Sequence, residues 1–159
     1  MTTEEAKRLS EALARAQKAA GNLKPATDQL TEKLAKIERA LTDLRLGVTA
    51  SIELKSEDVE DDGGRHYGTE VTALAFRREG KTWKLMIESG MTEDEHWHSI
   101  PLLNASRELR LLAIDRMHVL VERLAEQTEA QVQEVELHRA KADALLAQLQ
   151  ASQATRGKP

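Results

Sequence analysis

Apolar residues in the first third of the chain recur in alternating steps of four and three. Leu9, Leu13, Ala16, Ala20 and Leu23 make one set, and Leu30, Leu34, Ile37, Leu41 and Leu44 a second. Thr27 occupies the intervening position, so both sets keep one phase. This spacing puts the apolar side chains on one narrow stripe of an α-helix, the seam that a coiled coil buries. Gly21-Asn22-Leu23-Lys24-Pro25 interrupts the stripe. Glycine suits a helix C-terminal cap, proline suits a first helical turn, and the residue before a proline avoids helical geometry. The pattern therefore predicts an N-terminal helical arm over 1–45, built of two helices with a break at 21–25.

From residue 46 the period becomes two. Leu46, Val48, Ala50, Ile52 and Leu54 alternate with Gly47, Thr49, Ser51, Glu53 and Lys55, as a strand with one buried face requires. Val71 to Phe76 is apolar on both faces, with only small residues on the second, which suits a central strand. Trp83, Leu85 and Ile87 alternate with Lys84, Met86 and Glu88 after the Arg78-Glu79-Gly80-Lys81 turn. A fourth, weaker strand is expected between Glu95 and Ile100, closed by Pro101. Residues 46–105 thus read as an antiparallel β head.

A heptad pattern returns after Ser106. Ile114, Met117, Val121, Leu124, Thr128, Gln131, Val135, His138, Ala142, Leu145 and Leu149 occupy successive core positions, and neither proline nor glycine intervenes. Additional apolar residues widen the stripe in the first half, the part expected to pack on the sheet. The expected layout is a long C-terminal helix over 106–152 and a flexible tail over 153–159. The fold class is α+β: a small antiparallel β-meander head of three or four strands, flanked by N-terminal helices and the long C-terminal helix as coiled-coil-like arms. Arms leaving the head side by side and antiparallel would set Leu44 near Leu109.

Composition narrows the function. The chain has 159 residues, 40% hydrophobic and only 3% aromatic, and no cysteine. Disulfides, thiolate zinc sites and thiol nucleophiles are excluded. Twenty-three Lys and Arg face 27 Asp and Glu, a formal net charge of -4 that gives no general attraction to a phosphate backbone. Nucleic acid is a disfavoured partner; Arg77, Arg78, Lys81 and Lys84 form the one local basic patch considered. No stretch approaches the ~20 apolar residues a membrane span needs, so no membrane association and a cytoplasmic location are expected.

Candidate chemistry is sparse. His96 and His98 would share one face of a strand, but no third spaced histidine accompanies them, and no metal or other cofactor is assigned. The acidic run Glu57 to Gly64 mimics the first half of a calcium loop, yet Thr69 stands where its bidentate glutamate belongs, so a solvated hairpin connection is expected. Arg107 and Arg110 lie in the first turns of the long helix, where the macrodipole disfavours cations. They pair with carboxylates of the head or, with Ser106 and His98, form an anion-binding site. No nucleophile elbow, phosphate loop or zinc-hydrolase motif occurs, and no enzymatic activity is expected.

The order of helix, small sheet and helix with paired arms resembles the layout of prefoldin-type chaperone subunits, whose coiled-coil arms hold unfolded clients and whose strands assemble the oligomer. The resemblance is one of layout, and no site residue follows from it. The reading is a non-catalytic assembly, adaptor or chaperone-like protein that forms a homo-oligomer or binds partner helices through Leu9, Leu13, Val135, Leu145 and Leu149. A small-ligand or anion-binding module at the start of the long helix is the alternative.

Overall fold

The computed structural model describes residues 1–157. Helix α1 spans Thr3–Asp43, strands β1 to β4 span Ala50–Glu60, His66–Glu79, Thr82–Met91 and His98–Pro101, and helix α2 spans Arg107–Arg156. The strands form one antiparallel sheet in the order β1-β2-β3-β4, the expected meander. The fold is α+β.

Helix α1 opens on a capping box: Thr2 Oγ1 accepts from the Glu5 amide, and the Thr2 amide donates to the Glu5 carboxylate. The Thr2 amide, and after it the Thr2 hydroxyl, hold the Glu5 carboxyl below its ordinary pKa. The helix then runs without a break through Gly21 and Pro25, so the expected pair of helices is one. A proline ring inside a helix crowds the carbonyl four residues back, and here that residue is Gly21, which has no side chain to restrict local adjustment. Lys24 and Asp28 bridge the proline with a 2.9 Å ion pair, and Thr27 Oγ1 donates to the Leu23 carbonyl. Both act within the helix to hold the turn that proline weakens.

One face of the sheet carries the core. Ala50, Ile52, Leu74, Phe76, Leu85 and Ile87 pack against Leu34 and Leu41 of α1 and Ala113, Met117, Leu120 and Leu124 of α2. Phe76 stacks on Trp83 with ring centroids 5.5 Å apart. On the other face Ala75 and Met86 are paired across β2 and β3, and Arg77 donates to Glu88 beside them at 2.6 Å and also to Glu79. Partial burial works against the Arg77 charge, but those two carboxylates outweigh it and raise its pKa above the ordinary value.

Helix α1 also seals a sheet edge. Strand β4 pairs with β3 only from Met86 to Ser89. Beyond it the Leu85 amide donates to Glu38 at 2.9 Å, and Thr42 Oγ1 lies 3.5 Å from the Trp83 carbonyl. Side chains of α1 thus replace the strand that is missing there.

These contacts orient the helices. Glu38 meets Leu85 and Thr42 meets Trp83, so α1 runs antiparallel to β3. Glu108 at the start of α2 reaches Lys55 at 3.7 Å, whereas Leu124 shares a depression with Leu41, Leu44 and Leu46, so α2 runs antiparallel to β1. Because β1 and β3 point the same way, the two helices are parallel, and Arg110 meets Thr31 rather than a residue near Leu44. The expected antiparallel, paired arms are overturned. The free part of α1 leaves one end of the head and the free part of α2 leaves the other, a different layout from paired arms.

The remaining differences lie at element ends. The acidic run is not wholly a loop: Glu57–Glu60 continue β1, and the connection is a tight turn in which Asp61 Oδ1 accepts from the Gly63 and Arg65 amides at 2.9 Å. Gly64 there adopts φ +75, a conformation that glycine reaches without a Cβ penalty. Helix α2 extends to Arg156, past the expected end at 152, because nothing in Ser152 to Arg156 stops a helix. Of the tail expected over 153–159, residues 158 and 159 lie outside the described part.

Candidate functional site

Two surfaces hold side chains that the chain itself does not satisfy: the stripes of the free helical arms, and a groove on the helix-bearing face of the sheet.

Every residue from 1 to 26 and from 129 to 157 is exposed. Leu9, Leu13, Val135, Leu145 and Leu149 are each 50 to 60% exposed. Leu23, already on the stripe read from the sequence, belongs to the same surfaces, as do Val132 and Leu146, which were not singled out although they directly follow the stripe positions Gln131 and Leu145. The arms carry local support in the exposed ion pairs Arg8–Glu4 and Arg139–Glu136, pairs of a kind worth about 0.2–0.5 kcal/mol on a helix surface. His138, on the α2 stripe, has Nδ1 2.8 Å from the Glu134 carbonyl. A carbonyl only accepts, so Nδ1 carries the proton in this contact.

The groove owes its existence to a β-bulge. Register between β1 and β2 slips between Glu53 and Lys55, leaving Leu54 as the extra residue. A bulge reverses which alternate residues face each side. Before it, Ala50 and Ile52 face the helices; after it, Lys55 stands opposite Thr72 and Glu57 opposite Glu70 on that same face. With Ile87, Ser89, His98, Ile100 and Leu109 they line a cavity of about 200 Å³ beside the start of α2. A neighbouring depression shares Glu70, Ser89 and His98 and adds Asp94 and His96.

The anion-site residues proposed from the sequence are not gathered into one cluster. Ser106 is the N-cap of α2, its Oγ accepting from the Leu109 amide at 3.3 Å. Arg107 is exposed, and Arg110 donates to Thr31 of α1, with its Nε buried and lacking a partner among the described residues. His98 alone lines the groove, facing Glu57 and Glu70 instead of arginines. Among the described residues no group of three His, Asp or Glu is arranged to hold a metal ion. Trp97 lies over Gly90, where a Cβ would come within 2.7 Å of the ring, and its indole N–H donates to the Asp94 carbonyl. In the basic patch Arg77 is engaged by Glu88 and Glu79. No helix among the described residues is long and apolar enough to cross a membrane.

Comparison with protein-family models, with curated proteins and with solved structures finds no match to this chain.

Proposed function

We propose that this is a non-catalytic assembly protein whose arms pair with the arms of a second copy. The observation that carries the reading is the exposure of Leu9 and Leu13 on one arm and of Val135, Leu145 and Leu149 on the other, at coiled-coil spacing and with no cover within the chain. Isolated helices of ordinary composition are marginal in water, and a partner along the seam adds the stabilisation they lack. Charge favours pairing between unlike arms. On α1, Lys7, Arg8, Arg15, Lys18 and Lys24 outnumber Glu4, Glu5 and Glu11; on α2, Glu129, Glu134, Glu136 and Asp143 outnumber Arg139, Lys141 and Arg156. Because the arms point in opposite directions, contact of α1 with the α2 of a neighbour is heterologous, and it closes into a ring or extends into a chain according to the rotation between copies.

Light scattering on the purified chain tests the reading. The parent should exceed the 17.7 kDa monomer mass at tens of micromolar, and Leu145→Glu with Leu149→Glu should return it to that mass. A monomeric parent, or unchanged mass in the double variant, counts against self-association; a monomeric parent that captures a heterologous helix would move the arms' role to an adaptor.

A further inference from the structure

We propose that the arms join copies head to tail in one direction and one register: α2 of one copy lies parallel to the free part of α1 of the next, with Leu13 facing Ala142, Ala16 facing Leu145 and Ala20 facing Leu149. This rests on the self-association argued above and adds which segments meet and how. Direction follows from the phase of the α1 stripe. Leu9 to Leu23 continue without change of phase into Leu30, Leu34, Ile37 and Leu41, and those four pack on the chain's own head. A helix covering the free part therefore lies end to end with that head. Arg110 meets Thr31, so α2 begins level with Thr27, and an incoming helix has to stop there. A neighbour's α2 running parallel to α1 does so, because it ends at Arg156. Running antiparallel along the same stripe, it would bring its own head to the level of this one, and the two would collide. The free stretches, 3–26 and 129–156, also match in length to within about one turn.

Register follows from size and charge. Parallel helices meet in layers of like heptad position, and such layers interdigitate when a large side chain opposes a small one. In this register Ala6 also meets Val135 and Leu23 meets Ser152, and Leu9 against His138 is the exception. Beside the seam, Leu146 comes to lie over Ala12, which covers an exposed leucine that the stripe itself leaves out. Glu5 stands opposite Arg139, and no like-charged pair flanks the seam. A slip of one heptad in one direction sets Ala20 on Ala142 and Leu23 on Leu145, and brings Lys24 beside Lys141. A slip in the other sets Ala6 on Ala142, Leu9 on Leu145 and Leu13 on Leu149. Both stack small on small and large on large.

Cysteine cross-linking tests this, since the chain has no cysteine of its own. Full-length Ala20→Cys protein is mixed with Leu149→Cys, Ala142→Cys or Gln131→Cys protein in a glutathione redox buffer, and disulfide-linked dimer is read on a non-reducing gel. Facing seam positions come within disulfide range. The Leu149→Cys mixture should give several-fold more dimer than the other two and than any variant alone. Preferred linkage to Gln131→Cys, the antiparallel partner, or to Ala142→Cys, the partner one heptad away, overturns the proposal. A compensating pair checks it without a disulfide. Leu149→Ala should weaken self-association about tenfold in light scattering, and adding Ala20→Leu should recover it, because the large side chain has only changed sides. Ala14→Leu, on the outward face of the same helix, should not. Recovery by both or by neither overturns the register. An oligomeric parent with neither the Leu149→Cys link nor the compensation defeats this proposal and leaves self-association standing, whereas a monomeric parent defeats both.

Discussion

Single side chains decide how the head closes. Glu38 is the clearest case, because its carboxylate takes the Leu85 amide where β4 no longer reaches. Removing it leaves a backbone donor without its partner at a half-buried edge. Glu38→Ala should therefore lower unfolding free energy by about 1–3 kcal/mol, read from denaturant melts. An effect near zero would mean that water replaces the carboxylate at no cost. None of this was legible in the sequence, where Glu38 reads as one more polar residue beside the stripe. Arg110 shows the converse. Its place in the first turns of a helix marked it as needing compensation, but the sequence pointed to carboxylates or a bound anion, whereas the structure supplies the Thr31 hydroxyl of another helix.

Within single elements, the stripe of α1 is continuous but its environment is not. Leu34 is fully buried against the sheet while Leu13, in the same phase three heptads earlier, is about half exposed. Leu34→Ala should cost about 2–5 kcal/mol, as large-to-small changes in a packed core do. Leu13→Ala should change unfolding of the dilute, monomeric chain by less than ~0.5 kcal/mol. Denaturant melts at submicromolar concentration make the comparison, and equal costs would show that the arm is already packed within one chain. Periodicity located both residues on a helix without separating them, since the repeat records the face and not what covers it. The proline gave a misleading stop signal for a related reason. Local preference against helix at 21–25 is a weak prior, and favourable turns on both sides carry the helix through it. In the strands, alternation stopped being informative after Leu54, where the bulge put the exposed Glu57 on the helix-bearing face and apolar patterning ended.

Across the whole molecule, the parallel course of α1 and α2 sets the shape. The free stretch of α1, the shared stretch on the head and the free stretch of α2 add end to end at 1.5 Å per residue to on the order of 110 Å. Small-angle scattering from the dilute monomer should give a maximum dimension near that value. A value near 70 Å, the length of one long helix, would mean that the arms fold back on the head. The other long edge of the sheet, β1, has no strand beside it, and Glu53, Glu57, Asp58 and Glu60 along it discourage edge-to-edge pairing. Contacts between copies are thereby directed toward the arms.

The amino-acid sequence by itself determined the element types and their order, because periods of 3.5 and 2 are properties of neighbouring residues and need no knowledge of the rest of the chain. It also determined that the arms carry narrow apolar seams. Only the tertiary structure decided that the two helices run parallel, that α1 closes the edge of β3, and that a bulge brings Glu57, Glu70 and Thr72 into one groove. Those outcomes depend on which faces meet across the sheet, on the direction each helix takes over it and on a one-residue slip in register, none of which leaves a periodic trace in the order of residues.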